Sequence, residues 1–147
     1  MNKVGIVTFH KAHNYGAVLQ AYALRYVICK LGKEVFFYDY SPEWIEDEYS
    51  KYPLYNEKGL NKIKRIIGYA LDINRRSVRY NGFESFIKRY LKVWKEENIK
   101  ELNFIVLGSD QIWNPSITKG VDSVCYGHIP GISNAKVISY AASVENI

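Results

Sequence analysis

Hydrophobic and polar positions alternate in two periods along this chain, and the switches between them mark its elements. Val4 to Phe9 is a short apolar run rich in β-branched residues, as in a strand buried on both faces. His10 to Tyr15 is polar and turn-prone. From Gly16 to Leu31 the apolar residues fall at helical spacing, with Ala17, Leu24, Ile28 and Leu31 on one face and Val18, Ala21 and Tyr22 broadening it. Asn14 is placed to cap the start of that helix, and Gly32 sits where a glycine ends one. Val35 to Tyr38 reads as a second strand, so the first forty residues form one β-α-β unit.

The middle of the chain changes character. Ser41 to Asn56 is acidic and aromatic and contains Pro42 and Pro53, which predicts an irregular excursion. Leu60, Ile63, Ile67, Ala70 and Leu71 predict one amphipathic helix. Phe83, Phe86, Ile87, Tyr90, Leu91 and Trp94 predict a second. Strand character returns at Asn103 to Leu107 and stops at Gly108. Val121 to Tyr126 suits a short strand or a short helix, and Val137 to Ala141 is a further strand. The expected fold is α/β: one Rossmann-like domain over residues 1–147, its mostly parallel sheet flanked by helices, with a helical insertion at about 41–100. The last strand has no helix after it to cover it, which leads us to expect a longer chain or a partner over that face.

Charge changes this picture little. The net charge of +5 is uneven: eleven Lys and Arg stand against two acids between Lys58 and Lys95, and six acids against one Lys between Asp39 and Glu57. A solvated helical face beside an acidic loop accounts for this, and a peripheral contact with an anionic membrane is the competing expectation. No aromatic-basic RNA motif or zinc-finger spacing points to nucleic acid. Cys29 and Cys125 have no C-x-x-C partner, so neither a disulfide framework nor a zinc site is expected. Met1 to Phe9 is too short for a secretory signal, and no apolar run approaches the roughly 20 residues that span a bilayer, so a cytoplasmic location is expected.

Candidate chemistry falls just after three predicted strands: His10 to Gln20, Ser109 to Asn114 and Ser139 to Glu145. In open parallel sheets ligands bind beyond the carboxyl ends of the strands, so these clusters would meet on one rim. Gly16 at a helix start allows close approach to backbone N–H groups, which favour anions, although no nucleotide fingerprint is present. His10 and His13 are acid/base candidates or structural hydrogen-bonders. Asp110 can accept a sugar hydroxyl, act as a base, or cap the next turn. Trp113 can stack on a sugar ring or plug the core. Ser139 and Ser143 flank small residues that either admit a ligand or simply pack closely.

These clusters carry a resemblance. V-G-I-V-T-F-H-K-A-H-N-Y-G-A-V-L-Q-A-Y-A-L (Val4 to Leu24) resembles the start of the polysaccharide pyruvyl transferase family. G-S-D-Q-I-W-N-P (Gly108 to Pro115) and I-S-Y-A-A-S (Ile138 to Ser143) resemble its next two motifs, in the same order. The resemblance implies transfer of a pyruvyl group from phosphoenolpyruvate to a sugar of a surface polysaccharide, with no further cofactor and no metal. It implies the N-terminal lobe of a two-lobe, glycosyltransferase-B-like fold, with the cations that hold phosphoenolpyruvate mainly in the second lobe or a partner chain. Asp110 and His10 would then be catalytic, while Asn14, Tyr15, Gly16, Gln20, Ser109, Gln111, Trp113, Asn114, Ser139 and Ser143 would contact the acceptor. Lys11 is the nearest cation, and Arg75, Arg76 and Arg79 lie in the insertion, so this chain is expected to be inactive alone. The rival expectations are a glycan- or protein-binding lobe without turnover, or the lobe of a nucleotide-sugar glycosyltransferase.

Overall fold

The computed structural model describes residues 2–42, 45, 49, 60–94, 101–108 and 111–144. Four strands, β1 (Lys3–Val7), β2 (Glu34–Phe37), β3 (Phe104–Leu107) and β4 (Lys136–Ser139), form one sheet in the order β2-β1-β3-β4. Every pairing is parallel: Val4 lies opposite both Val35 and Phe104, and Phe104 opposite Lys136. The sheet is therefore wholly parallel where a mostly parallel one was expected.

Alternation along the strands divides the core between the two faces. Val4, Ile6, Val35, Phe37 and Val106 point to one face, where helix α1 (Tyr15–Lys30) brings Val18, Ala21 and Leu24. Val7, Phe36, Ile105 and Leu107 point to the other, covered by Ile112, Cys125, Ile129 and Trp94. Gly5 makes room for that cover, since a Cβ there would lie 2.7 Å from the Trp94 ring and 2.8 Å from Leu102.

α1 has the boundaries its capping residues dictate. The Asn14 side chain accepts from Gly16 N–H at 2.8 Å and Ala17 N–H at 3.4 Å. At the far end Gly32 takes φ +73°, where a Cβ is costly, and its N–H donates to the Cys29 carbonyl. Leu31, expected on the buried face, lies past the last turn and is exposed.

The insertion departs from expectation. Over the described residues 60–94, where two helices were expected, there is one, α2 (Leu60–Tyr90), 31 residues long. Leu60 to Leu71 and Phe83 to Tyr90 both repeat at helical spacing, and Asp72 to Gly82 contains no proline to stop the helix between them. Phe83 and Ile87 are buried against the α1 face of the sheet. Leu91 and Trp94, predicted in the second helix, lie beyond its end. The chain there turns extended along the outer edge of β2: Phe37 N–H donates to the Lys92 carbonyl, and Trp94 N–H donates to the Phe37 carbonyl.

Two short elements follow β3. Pro115–Thr118 forms a single helical turn, α3, capped by the Asn114 side chain. Ser123–Tyr126 is a 3-10 turn capped by Asp122, which settles the strand-or-helix alternative for that segment. Tyr40 ties this turn to the end of β2 by donating its hydroxyl to Asp122 (2.7 Å). Among the described residues no helix is long and apolar enough to cross a membrane.

Candidate functional site

Parallel strands deliver the loops that follow them to one edge, and β1, β3 and β4 are neighbours in the sheet. After β1 the chain runs toward β2 on one side, and β3 lies on the other, so a switch point falls between the carboxyl ends of β1 and β3. Thr8 to Gly16 leaves the first strand there and Gly108 the second. The β3 and β4 loops touch directly: Trp113 N–H donates to the Ser143 carbonyl at 3.3 Å. Gly108, at φ +103°, lies so close that a Cβ would collide with the Tyr140 carbonyl oxygen.

The individual residues divide sharply by exposure. Asn14, Tyr15, Gly16, Gln20, Ser139 and Ser143 are exposed. Gln20 shares a groove of about 560 Å³ with Tyr140 and Ala141, so the first helix and the β4 loop approach across it. The rest of that groove is apolar, lined by Leu24, Val27, Ile28, Phe104 and Ile138 among others. Tyr15 turns instead toward the insertion, its ring 4.8 Å from that of Phe83. Ser109 and Asp110 lie outside the described residues.

Other predicted residues are occupied structurally. Trp113 donates its indole N–H to the Cys125 carbonyl (2.9 Å) and stacks on Tyr126, so it packs the loop onto the core as the plugging alternative supposed. Asn114 is 1% exposed; its carboxamide accepts from Ser116 N–H (2.9 Å) and donates to Gln111 Oε1 (2.8 Å). The sugar contact expected of Asn114 thus lacks an exposed side chain to make it. The anion expectation at the α1 start is likewise weakened, because the Asn14 carboxamide already engages Gly16 and Ala17 N–H.

His10 lies beneath the rim. It is 0% exposed, with its ring 5.4 Å from that of Phe37 and Nδ1–H donating to the Thr8 carbonyl at 3.2 Å. Burial pushes its pKa down to about 4, with the nearby Lys11 charge adding to the effect and the Thr8 bond and Asp39 opposing it. Such an imidazole is uncharged at neutral pH and presents no surface to a ligand. The proton-transfer role expected of His10 finds no support in its surroundings.

His13 is the better-placed histidine. Glu84 Oε1 accepts from its Nε2–H at 2.9 Å, and its ring stacks parallel on Phe83 at 5.1 Å. Tyr80 meets the ring edge-on at 4.8 Å, and Arg79 donates to the His13 carbonyl. His13, Glu84 and Tyr80, with Lys11, Ile45, Tyr49 and Ile87, line a pocket of about 340 Å³. Lys11 is ion-paired to Asp39; burial alone would raise that carboxyl, but the bond to Lys11 and its charge hold it below its ordinary value. Sequence reasoning missed Glu84 and Tyr80, since 71 positions separate Glu84 from His13 and no motif links them. The one available signal is that both border the buried Phe83–Ile87 stripe.

Among the described residues no group of three or more His, Cys, Asp or Glu could hold a metal ion. A family model described as polysaccharide pyruvyl transferase matches residues 14–147. No curated protein and no solved structure matches the chain.

Proposed function

The chain belongs to the polysaccharide pyruvyl transferase family, and from that premise we propose that its carboxyl-edge rim holds a sugar acceptor for a pyruvyl group drawn from phosphoenolpyruvate. The observation that supports this reading most is that the β1, β3 and β4 loops leave neighbouring parallel strands at a switch point, with the α1 start and the β3 and β4 loops inside the matched span. In the reaction, the methylene of phosphoenolpyruvate takes up a proton and an acceptor hydroxyl adds to the adjacent carbon. A second hydroxyl of the same sugar then displaces phosphate, leaving a ketal-linked pyruvate. An oriented acceptor is the largest contribution a binding rim makes to such a step.

On this reading Asn14, Gly16 and Gln20 from the α1 start, with Ser139 and Ser143 from the β4 loop, contact the acceptor. Tyr15 and Gln111 flank it, and Ser109 and Asp110 are assigned from sequence position alone, Asp110 as the base that accepts the hydroxyl proton. Trp113 and Asn114 shape the β3 loop. The donor's phosphate and carboxylate need fixed cations, which we assign to a second lobe or a partner chain in a two-lobe arrangement.

One observation favours a second reading, a glycan-binding lobe without turnover. Lys11, the cation nearest the rim, is paired with Asp39, and Arg79 bonds the His13 carbonyl. Incubation with phosphoenolpyruvate and candidate acceptors, following phosphate release, separates the two. Transfer that falls in Asn14→Ala and Asp110→Asn supports the transferase reading. Saccharide binding with no phosphate release, with or without a second lobe supplied, refutes it.

A further inference from the structure

The His13 pocket has a chemistry of its own. Its lysine, Lys11, is already matched by the Asp39 carboxylate, and His13 is hydrogen-bonded to the Glu84 carboxylate. A pocket so balanced offers no surplus charge to a phosphate or carboxylate, whose recognition calls for unpaired cations. What remains is a set of alternating donors and acceptors beside flat apolar faces. The Glu84 carboxylate accepts from His13 Nε2–H, which leaves Nδ1 as the ring nitrogen open to a ligand hydroxyl. Nδ1 has no hydrogen-bond partner among the described residues. Glu84 is half exposed and keeps lone pairs for hydroxyl donors. Tyr49 and Tyr80 supply aromatic faces, and burial together with Glu84 pushes the Tyr80 phenol up, keeping it protonated. The volume of about 340 Å³ lies at the small end of ligand pockets, enough for one ring rather than a chain.

We propose that this pocket is a subsite for a single uncharged sugar ring, gripped by His13, Glu84 and the tyrosine faces. Its His13 directly precedes Asn14, the first rim residue, so a ring bound there would be one unit of the acceptor; in that respect the inference rests on the function proposed above. It narrows that function to acceptors whose unit at this position carries hydroxyls and no acid group.

The test is binding to this chain of methyl glucoside, methyl galactoside, methyl glucuronide and phosphoenolpyruvate, read by saturation-transfer NMR and by the His13 imidazole nitrogen signals. A neutral glycoside is expected to move the His13 signals and to bind more tightly than either anion. Its affinity should fall about fivefold, or ~1 kcal/mol, in each of Tyr80→Ala and Glu84→Ala. Should Tyr80→Ala fail to fold, Glu84→Ala, with its half-exposed side chain, decides the matter. Neutral glycosides that leave His13 unmoved, tighter binding of an anion at His13, or affinities unchanged in both variants would overturn the subsite. Pyruvyl transfer with variant-insensitive glycoside binding removes the subsite and keeps the transferase. Variant-sensitive binding without any transfer keeps the subsite and removes the transferase.

Discussion

Acidification should destabilise this protein through His10. The ring is fully enclosed, its Nδ1–H engaged by the Thr8 carbonyl and its Nε2 buried without a hydrogen-bond partner. Protonating Nε2 places a charge in a low-dielectric surrounding, which is why the folded-state pKa falls from 6.5 to about 4. In the unfolded chain the imidazole takes its proton near pH 6.5, so between about pH 6.5 and 4 the unfolded state binds more protons. The stability is fully present above that window and is lost as pH falls through it. At about 1.4 kcal/mol per tenfold change in proton affinity, the gap corresponds to roughly 3 kcal/mol. That is a large share of the ~5–15 kcal/mol that holds a typical domain together. The assay is urea denaturation of the wild type and His10→Leu at several pH values from 7.5 to 4.5. Carboxylates common to both proteins cancel in the difference, so the wild type should lose stability relative to His10→Leu as pH falls. Parallel curves for the two proteins would refute the reasoning.

Three substitutions probe the loops of the rim. Asn14→Ala removes the α1 cap and should cost about 1 kcal/mol in chemical denaturation; no loss would mean that the cap is idle. Gly108→Ala forces a side chain to φ +103° and into the Tyr140 carbonyl, so it should cost on the order of 3 kcal/mol and loosen the contact between the β3 and β4 loops. Hydrogen exchange of Trp113 N–H should rise with it, and unchanged exchange would contradict that coupling. Tyr40→Phe deletes the hydroxyl that bonds Asp122, with a loss of about 1 kcal/mol and readier labelling of the buried Cys125 thiol. Labelling at the wild-type rate would show that the 3-10 turn does not depend on that bond.

The parts legible in the sequence were those set by local chemistry. Val4 to Phe9 and Asn103 to Leu107 read as buried strands because parallel strands are apolar on both faces, and β1 and β3 formed there, β1 ending at Val7; Asn14 and Gly32 marked the ends of α1 because each end needs a particular side chain or backbone angle. The continuity of α2 was not legible, because an interval without apolar periodicity can be a loop or an exposed stretch of helix. Trp94 fitted the helical spacing yet lies on the edge of β2, since three or four positions past a helix end still match the pattern. At the site, proximity along the chain favoured His10, while burial set it apart from the rim. The Glu84 partner of His13 comes from an insertion 71 positions away, and only the packing of Phe83 and Ile87 against the sheet brings it there.

Amide NMR of the uniformly labelled chain, titrated with an acceptor oligosaccharide, tests the central claim most directly. Shifts should gather in residues 10–20, 111–114 and 139–143, where β1, β3 and β4 end. Shifts confined to residues 2–3, 102–104 and 134–136, at the opposite ends of the same strands, would contradict it.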